Sequence, residues 1–324
     1  MILVLSANAG IDRTYEVANF SVGMYHHPRR FRVCPGGKGV NVARVLRRLG
    51  HEIIITGFAG GHIGNSLNSM LKADGIRPEF VRIAEESRLC LNIVDTNTRT
   101  STQVDEVGPL VSPAEIEQLR RQWLKLLRAC RLVIISGSAP RGVPNNIYTE
   151  FIFMAKEQRL PVILDVREPY FNEAIEAGPM IVKPNLAELS AFAGQELSVP
   201  AGVVATSKEI LRQGVKLVVT SLAKHGAIAV TGEAGNWWAR PPAIEAISEV
   251  GSGDAMVAGL VHASLNKESL QNRLRWAVAA GSANAAKLGA GFCEPSEIEP
   301  LLPQVTVEGL TDDGELVLTP PAAQ

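Results

Sequence analysis

The chain has few of the features that mark a metal, redox, nucleic-acid or membrane protein. Its four cysteines, Cys34, Cys90, Cys130 and Cys293, lie far apart and form no CxxC pair. That spacing argues against a metal or dithiol site and predicts free thiols in a cytoplasmic protein. Neither sign of charge dominates, with Lys and Arg together at 32, Asp and Glu at 33, and a net charge of −1. This balance gives no electrostatic basis for binding nucleic acid or a membrane surface. The longest apolar runs, "RLVIISG" and "LPVILDV", are strand-length and far too short to span a bilayer. The first residues, "MILVLSANAGID", carry no basic flank and read as a strand rather than a signal peptide. Internal repeats and low-complexity tracts are also missing.

What is present is a chain of 324 residues, 46% of them hydrophobic, enough for a sizeable core. Short β-branched runs alternate with helical patterns. "MILVLSA", "EIIITGFAG", "RLVIISG", "PVILDV", "PMIVKPN", "KLVVTSL" and "GAIAVT" read as strands. Between them, "GVNVARVLRRLG", "GNSLNSMLKADG" and residues 114–130 have apolar residues at helical spacing. This alternation predicts an α/β fold, a doubly wound and mostly parallel sheet flanked by helices, with ligands at the C-terminal ends of its strands. Two stretches alternate polar and apolar residues instead, at about 12–33 and 88–104. They predict a small separate β-sheet over one end of the main sheet, placed to act as a lid. The expected organisation is one domain over 1–310 carrying these lid segments, then a tail over 311–324. An edge strand is expected in the last fifteen residues.

Several motifs sit at the ends of the strand-like runs. In "PGGKGVNVAR" (35–44), Gly36, Gly37 and Gly39 allow a ligand close to the backbone, Lys38 adds a charge, and Asn41 can donate and accept. It lacks the GxxxxGK[ST] spacing of a P-loop. The glycines of "GFAGGHIG" (57–64) miss the GxGxxG spacing, which opposes a dinucleotide site. "IISGSAPRG" (134–142) brings Gly137 and Ser138 to a strand end, and "VVTSLAKHG" (218–226) brings Ser221 and Gly226 to another. In "IVKPNLAELS" (181–190), Asn185 and Glu188 at i and i+3 fit either a helix capping box or a site for hydrated magnesium. "EVGSGDAMVAG" (249–259) fits a plain helix start, and equally a turn whose amides face an anion with Asp254 beside it as a base.

Taken together, "NAGID" (8–12), "GGKGVNVAR" (36–44), Ser87-Arg88, "SGSAPRG" (136–142), "KPNLAEL" (183–189) and "VGSGDAMVAG" (250–259) resemble the phosphofructokinase B family of ribokinase-like carbohydrate kinases. The likeness is to the hexose-phosphate branch and spans roughly residues 1–295. It implies a ribokinase-like fold and a catalytic group of Asp254 as base with Gly251, Ser252 and Gly253 as an anion hole. Asp12, Gly37 and Asn41 would bind sugar hydroxyls. Lys38, Arg88 and Ser138 would lie near the phosphate already on the substrate, helped by Arg29, Arg30 or a neighbouring histidine. Lys183, Asn185, Ser221, Gly226, Gly253 and Asn284 would serve the nucleotide, and Glu188 would hold magnesium through water.

The function so implied is ATP- and Mg2+-dependent phosphorylation of a phosphorylated ketohexose, with fructose 1-phosphate the first choice. Tagatose 6-phosphate or fructose 6-phosphate is the alternative, and a catalytically inactive sugar-phosphate sensor a further one. A homodimer through the lid is expected, with no nucleic-acid or membrane partner. The chain also departs from the family pattern. Ala9 follows Asn8 where proline is usual, Ala223 replaces a glycine, and "LDVREPY" (164–170) replaces an aspartate-serine-serine or aspartate-threonine-serine run.

Overall fold

Strands buried on both faces need cover on both faces, and the short apolar runs of this chain are buried throughout. The computed structural model describes residues 1–98 and 100–317. Its strands are β1 (Ile2–Leu5), β2 (Gly10–Val17), β3 (Arg30–Gly36), β4 (Ile53–Gly60), β5 (Arg77–Ile83), β6 (Arg88–Asp95) and β7 (Thr100–Asp105). They continue with β8 (Leu132–Ser136), β9 (Val162–Asp165), β10 (Ile181–Val182), β11 (Leu217–Ser221), β12 (Ala227–Thr231), β13 (Asn236–Arg240) and β14 (Thr306–Leu310). The principal helices are α1 (Lys38–Arg48), α2 (Gly61–Ala73), α3 (Pro113–Leu127), α4 (Ile147–Glu157), α5 (Phe171–Glu176), α6 (Leu186–Ala193), α7 (Ala201–Arg212), α8 (Ser252–Leu265) and α9 (Leu270–Ala285).

The main sheet has the order β14-β13-β12-β11-β10-β9-β8-β1-β4-β5. It is parallel from β11 to β5 and antiparallel at the β12-β13-β14 edge. Helices cover it on both sides, giving two buried clusters. Trp123, Tyr148 and Phe151 anchor one face, and α1, α8 and α9 pack Val42, Leu46, Val257 and Leu274 on the other. From β1 the chain moves outward to β4 and β5, then returns to β8 on the opposite side. The crevice at such a reversal, outside the C-terminal strand ends, is where open α/β sheets hold ligands.

The small sheet has the order β3-β2-β6-β7 and hangs over that crevice. Its registers pair Asp12 with Cys34 and with Cys90, and Cys90 with Asp105. Directly paired residues share a face, so these four form one row looking into the cavity.

The observed boundaries differ modestly from the sequence reading. α1 begins at Lys38 rather than near Val40, α2 at Gly61, and α3 runs from Pro113 to Leu127 because Ser112 caps it with Glu115 closing the box. Among the described residues the last fifteen hold no edge strand of their own: the edge is β14, which ends at Leu310, and Leu316 adds only an isolated bridge. Of the expected tail, residues 318–324 lie outside the described residues, as does Arg99 within the expected lid. Among the described residues no helix is long and apolar enough to cross a membrane.

Candidate active site

A cavity of about 1100 Å³ lies between the strand ends and the small sheet. The polar motifs meet in its wall: Asp12, Gly37, Lys38, Asn41, Arg88, Ser138, Lys183, Asn185, Ser221, Gly226, Ser252 and Asp254 all line it. Neutral and negatively charged groups dominate the part under the small sheet. Apolar and small residues, among them Pro241, Ile244 and Val278, shape the opposite end.

Helix α8 explains why the glycines and carboxylate of residues 251–254 are built as they are. Gly251 is its N-cap in a left-handed conformation, φ 80°, where a side chain is strained. A Cβ there would also overlap Ala290. The helix then buries Ala255, Val257, Ala258 and Leu260, which fixes its axis in the core. The Ser252 amide donates to the Glu249 carbonyl at 3.1 Å. Among the described residues, the amides of Gly251, Gly253 and Asp254 have no protein acceptor. The expected anion hole is thus narrower than Gly251–Asp254. Ser252 contributes its hydroxyl to the wall and uses its amide to close the turn.

Asp254 sits in the first turn, 4% exposed. Asn41 Nδ2 donates to its Oδ2 at 2.8 Å. Burial raises the Asp254 carboxyl to about 6, opposed mainly by the charge of Lys38. A carboxylate poised in that range is suited to taking a proton near neutral pH. Asp12, also largely desolvated, is likewise raised to about 6, with Arg88 and Arg44 pulling it down. Gly36 leaves the space that the Asp12 carboxylate fills, since a Cβ there would overlap it.

Two cations converge on a residue the sequence reading passed over. Asp165, fully buried at the end of β9, accepts from Lys38 and Lys183, each at 3.3 Å. The two ammonium groups hold its carboxyl below the usual range against strong desolvation, and Asp165 in turn raises Lys38. An acidic residue ending the apolar run "PVILD" was the available signal. Lys38, expected beside the sugar's phosphate, lines the cavity with its ammonium group paired to Asp165. Lys183 lies over the start of α8, 3.4 Å from where a Gly253 side chain would begin.

Arg44 is a second residue that sequence reasoning missed. Buried to 2% exposure, it donates to the carbonyls of Pro35 at 2.6 Å and Ala290 at 2.8 Å, and to Asn41 Oδ1 at 3.4 Å. Its guanidinium also stacks on Phe292, 4.7 Å from the ring centre. It thereby ties the glycine-rich loop to the segment packed against Gly251. Asn41 is held with its oxygen toward Arg44 and its amide nitrogen toward Asp254.

Three expected contacts are placed differently. Asn284 is fully buried behind the wall, where it donates to the Val250 carbonyl and accepts from the Gly291 amide. It supports the α8 turn, while Ser282 and Ala285 form the lining expected of it. Asn185 lines the cavity and caps α6, accepting from the Glu188 amide at 2.8 Å, and Glu188 Oε2 accepts from the Asn185 amide at 2.9 Å. The capping-box reading is therefore correct, and it leaves Glu188 Oε1 outside the box, although Glu188 does not line the cavity. Arg29 and Arg30 are exposed and outside the wall of this chain's cavity. Two cations the sequence reading did not assign, Arg167 and Lys224, do line it.

Comparison with known proteins gives a consistent picture. The pattern described as "pfkB family carbohydrate kinase" matches residues 3–297. A 1-phosphofructokinase of Rhodobacter capsulatus is 32% identical over 310 residues, covering 95% of this chain and 98% of that one. A tagatose-6-phosphate kinase of Staphylococcus epidermidis is 29% identical over 311 residues, covering 95% and 99%. Among solved structures, phosphofructokinase-2 of Escherichia coli in complex with substrates and products superposes with a TM-score of 0.88 at 29% identity, covering 93% of this chain and 98% of that one.

Proposed function

The chain belongs to the pfkB family of carbohydrate kinases, and from that premise we propose that it transfers the γ-phosphoryl group of ATP to the 6-hydroxyl of fructose 1-phosphate. It is a sugar-phosphate kinase with the ribokinase-like fold, and kinases of this family use ATP and Mg2+. The observation that carries the mechanism is the pairing of a buried carboxylate, Asp254, with open amides at the start of the same helix. Asp254 takes the proton of the attacking hydroxyl through the oxygen that Asn41 leaves free. The Gly251, Gly253 and Asp254 amides, with Lys183 above them, meet the charge on the transferring group. Asp12 and Asn41 orient the sugar, and Arg88 with Ser138 faces the phosphate it already carries. The apolar end near Ile244 and Val278, flanked by Ser221 and Gly226, suits the nucleotide base and ribose.

The residues fit magnesium of the kind held chiefly by phosphates and water. Among the described residues no cluster of three or more Asp, Glu, His or Cys could enclose an ion. Magnesium needs only one or two carboxylates when a polyphosphate supplies further oxygens. Glu188, through its uncapped oxygen, and Asn185 are the side chains we assign to it. When bound, the ion neutralises polyphosphate charge.

Tagatose 6-phosphate is the second reading, favoured by the likeness to the Staphylococcus epidermidis enzyme. Either sugar puts a hydroxyl at one end and a phosphate at the other. A coupled assay for ADP with fructose 1-phosphate, tagatose 6-phosphate and fructose 6-phosphate decides between them. Fructose 1-phosphate is expected to give the highest kcat/KM, and a tenfold preference for either other sugar would replace it.

We also propose that a second copy of the chain packs on the small sheet. Val22, Met24, Tyr25, Phe31 and Val104 are large apolar residues exposed there, a concentration that soluble surfaces seldom leave bare. Sedimentation should give about twice the chain mass of 34.8 kDa. The double substitution Tyr25→Ser, Phe31→Ser should shift it to the monomer. A monomeric wild type would refute this.

A further inference from the structure

We propose that Arg167 is a further recognition residue for the phosphate that the sugar substrate already carries. The inference rests on the sugar-phosphate reading above and assigns that site one more side chain.

The cations expected around that phosphate are fewer than the sequence implied. Lys38 donates one of its ammonium hydrogens to Asp165 and shares its charge with that carboxylate, and Arg29 and Arg30 lie outside the cavity wall. Arg88 remains, its Nε donating to the Asn8 carbonyl at 2.8 Å, which leaves its terminal nitrogens for an anion. Ser138 stands beside it, in contact with Asn8 Nδ2 at 3.4 Å. A guanidinium covers at most two oxygens of a phosphate in a forked contact. The third oxygen and much of the second negative charge then need another donor.

Arg167 is placed to be that donor. It lines the same cavity, and among the described residues its side chain has no hydrogen bond or ion pair. It follows β9, which lies in the sheet between β8, which leads into Gly137 and Ser138, and β10, which leads into Lys183. Beyond the strand ends, its loop is fastened to the β8 side. Gly137 N donates to the Asp165 carbonyl at 3.0 Å, and Tyr170 N to the Arg167 carbonyl at 3.1 Å. The Tyr170 hydroxyl reaches the Ala139 carbonyl at 3.5 Å, and the Tyr148 hydroxyl the Gly137 carbonyl at 3.1 Å. The two tyrosine rings lie 5.1 Å apart. Arg167 and Ser138 therefore project from two loops locked into one ledge, so the arginine's freedom is confined to its side chain. An exposed arginine on a free loop would read as a solvated surface charge. This one stands in a cavity wall on a fixed backbone, in the stretch "DVREP" that departs from the family's hydroxyl-rich run.

The test uses the full-length chain with Arg167→Gln and Arg167→Lys, assayed with the sugar phosphate that the wild type turns over best. Arg167→Gln is expected to raise KM for the sugar phosphate about tenfold or more, the worth of one charge-assisted hydrogen bond. KM for ATP should stay within about twofold, and Arg167→Lys should recover part of the loss. The residue is exposed, so thermal stability should be unchanged. A sugar-phosphate KM within twofold of wild type overturns the proposal, as does an equal or larger rise in KM for ATP. A wild type that phosphorylates no sugar phosphate would instead defeat the kinase reading itself, before any variant is compared.

Discussion

Asp254→Asn should fold, bind both substrates, and lose between about 10²- and 10⁴-fold in kcat, the usual worth of a positioned general base. The substitution keeps the shape of the side chain, and an amide oxygen can still accept from Asn41, which now donates at 2.8 Å. What disappears is the basic oxygen. In the wild type, burial raises the carboxyl to about 6, so kcat should fall as pH drops through that value and the base becomes protonated. This acidic limb should be absent from the variant. Stability should respond in the opposite sense. The folded-state pKa lies above the unfolded value, so the native protein binds more protons between about pH 4 and 6 and loses stability as pH rises through that window. Removing the buried charge should therefore stabilise the variant at pH 7, read as a higher midpoint in denaturant melts. Near-normal turnover by Asp254→Asn would reduce the residue to a helix-terminal acid.

Arg88→Ala should raise KM for the sugar phosphate about 10- to 100-fold while moving KM for ATP less than about threefold. Losing a hydrogen-bonded charge partner of a dianion costs roughly 1.5–3 kcal/mol. The residue enters at the start of β6, opposite Gly10 in register and one strand from Gly36, on a different element from the α8 amides assigned to the transferring group. A second consequence separates this role from simple packing. The Arg88 charge is the largest influence holding down the Asp12 carboxyl, which burial otherwise raises to about 6. Without it, Asp12 protonates at higher pH, so the acidic limb of kcat/KM for the sugar should move toward neutrality. Initial rates measured from pH 5 to 8 at varied sugar phosphate would reveal it. Equal rises in both KM values, with no shift of the limb, would undo the assignment.

Much of this site could be read from the sequence because its backbone devices leave local marks. Gly251, Gly253 and Asp254 stand before an apolar helical run, and three glycines surround Lys38, so both turns were visible as turns. The alternation of apolar runs with helical periods placed those turns at strand ends. In a doubly wound sheet, strand ends converge. The small sheet was visible too, because period-two alternation stands out among fully apolar strands.

The unread residues depend on contacts distant in the chain. Asp165 looks like any acid after a strand until the fold brings Lys38 and Lys183 to within 3.3 Å of it. Arg44 looks like a helix-surface arginine in "NVARVLRRLG", yet its donors are satisfied by Pro35 and by Ala290, 246 residues away. Asn284 was expected on the nucleotide wall because the family resemblance implied that role. Its register on α9 turns it inward, and the small side chains beside it line the cavity instead. Lys38 shows the same limit, since a lysine in a glycine loop carries no local sign of which anion will claim it.

The most direct test of the central claim is ³¹P NMR of the purified protein with MgATP and fructose 1-phosphate. The expected spectrum shows a second phosphomonoester resonance, that of the 6-phosphate, growing in step with ADP, and neither changing when the sugar is left out. ATP that stays intact with each of the three sugar phosphates, or that yields inorganic phosphate at the same rate with and without sugar, would contradict it.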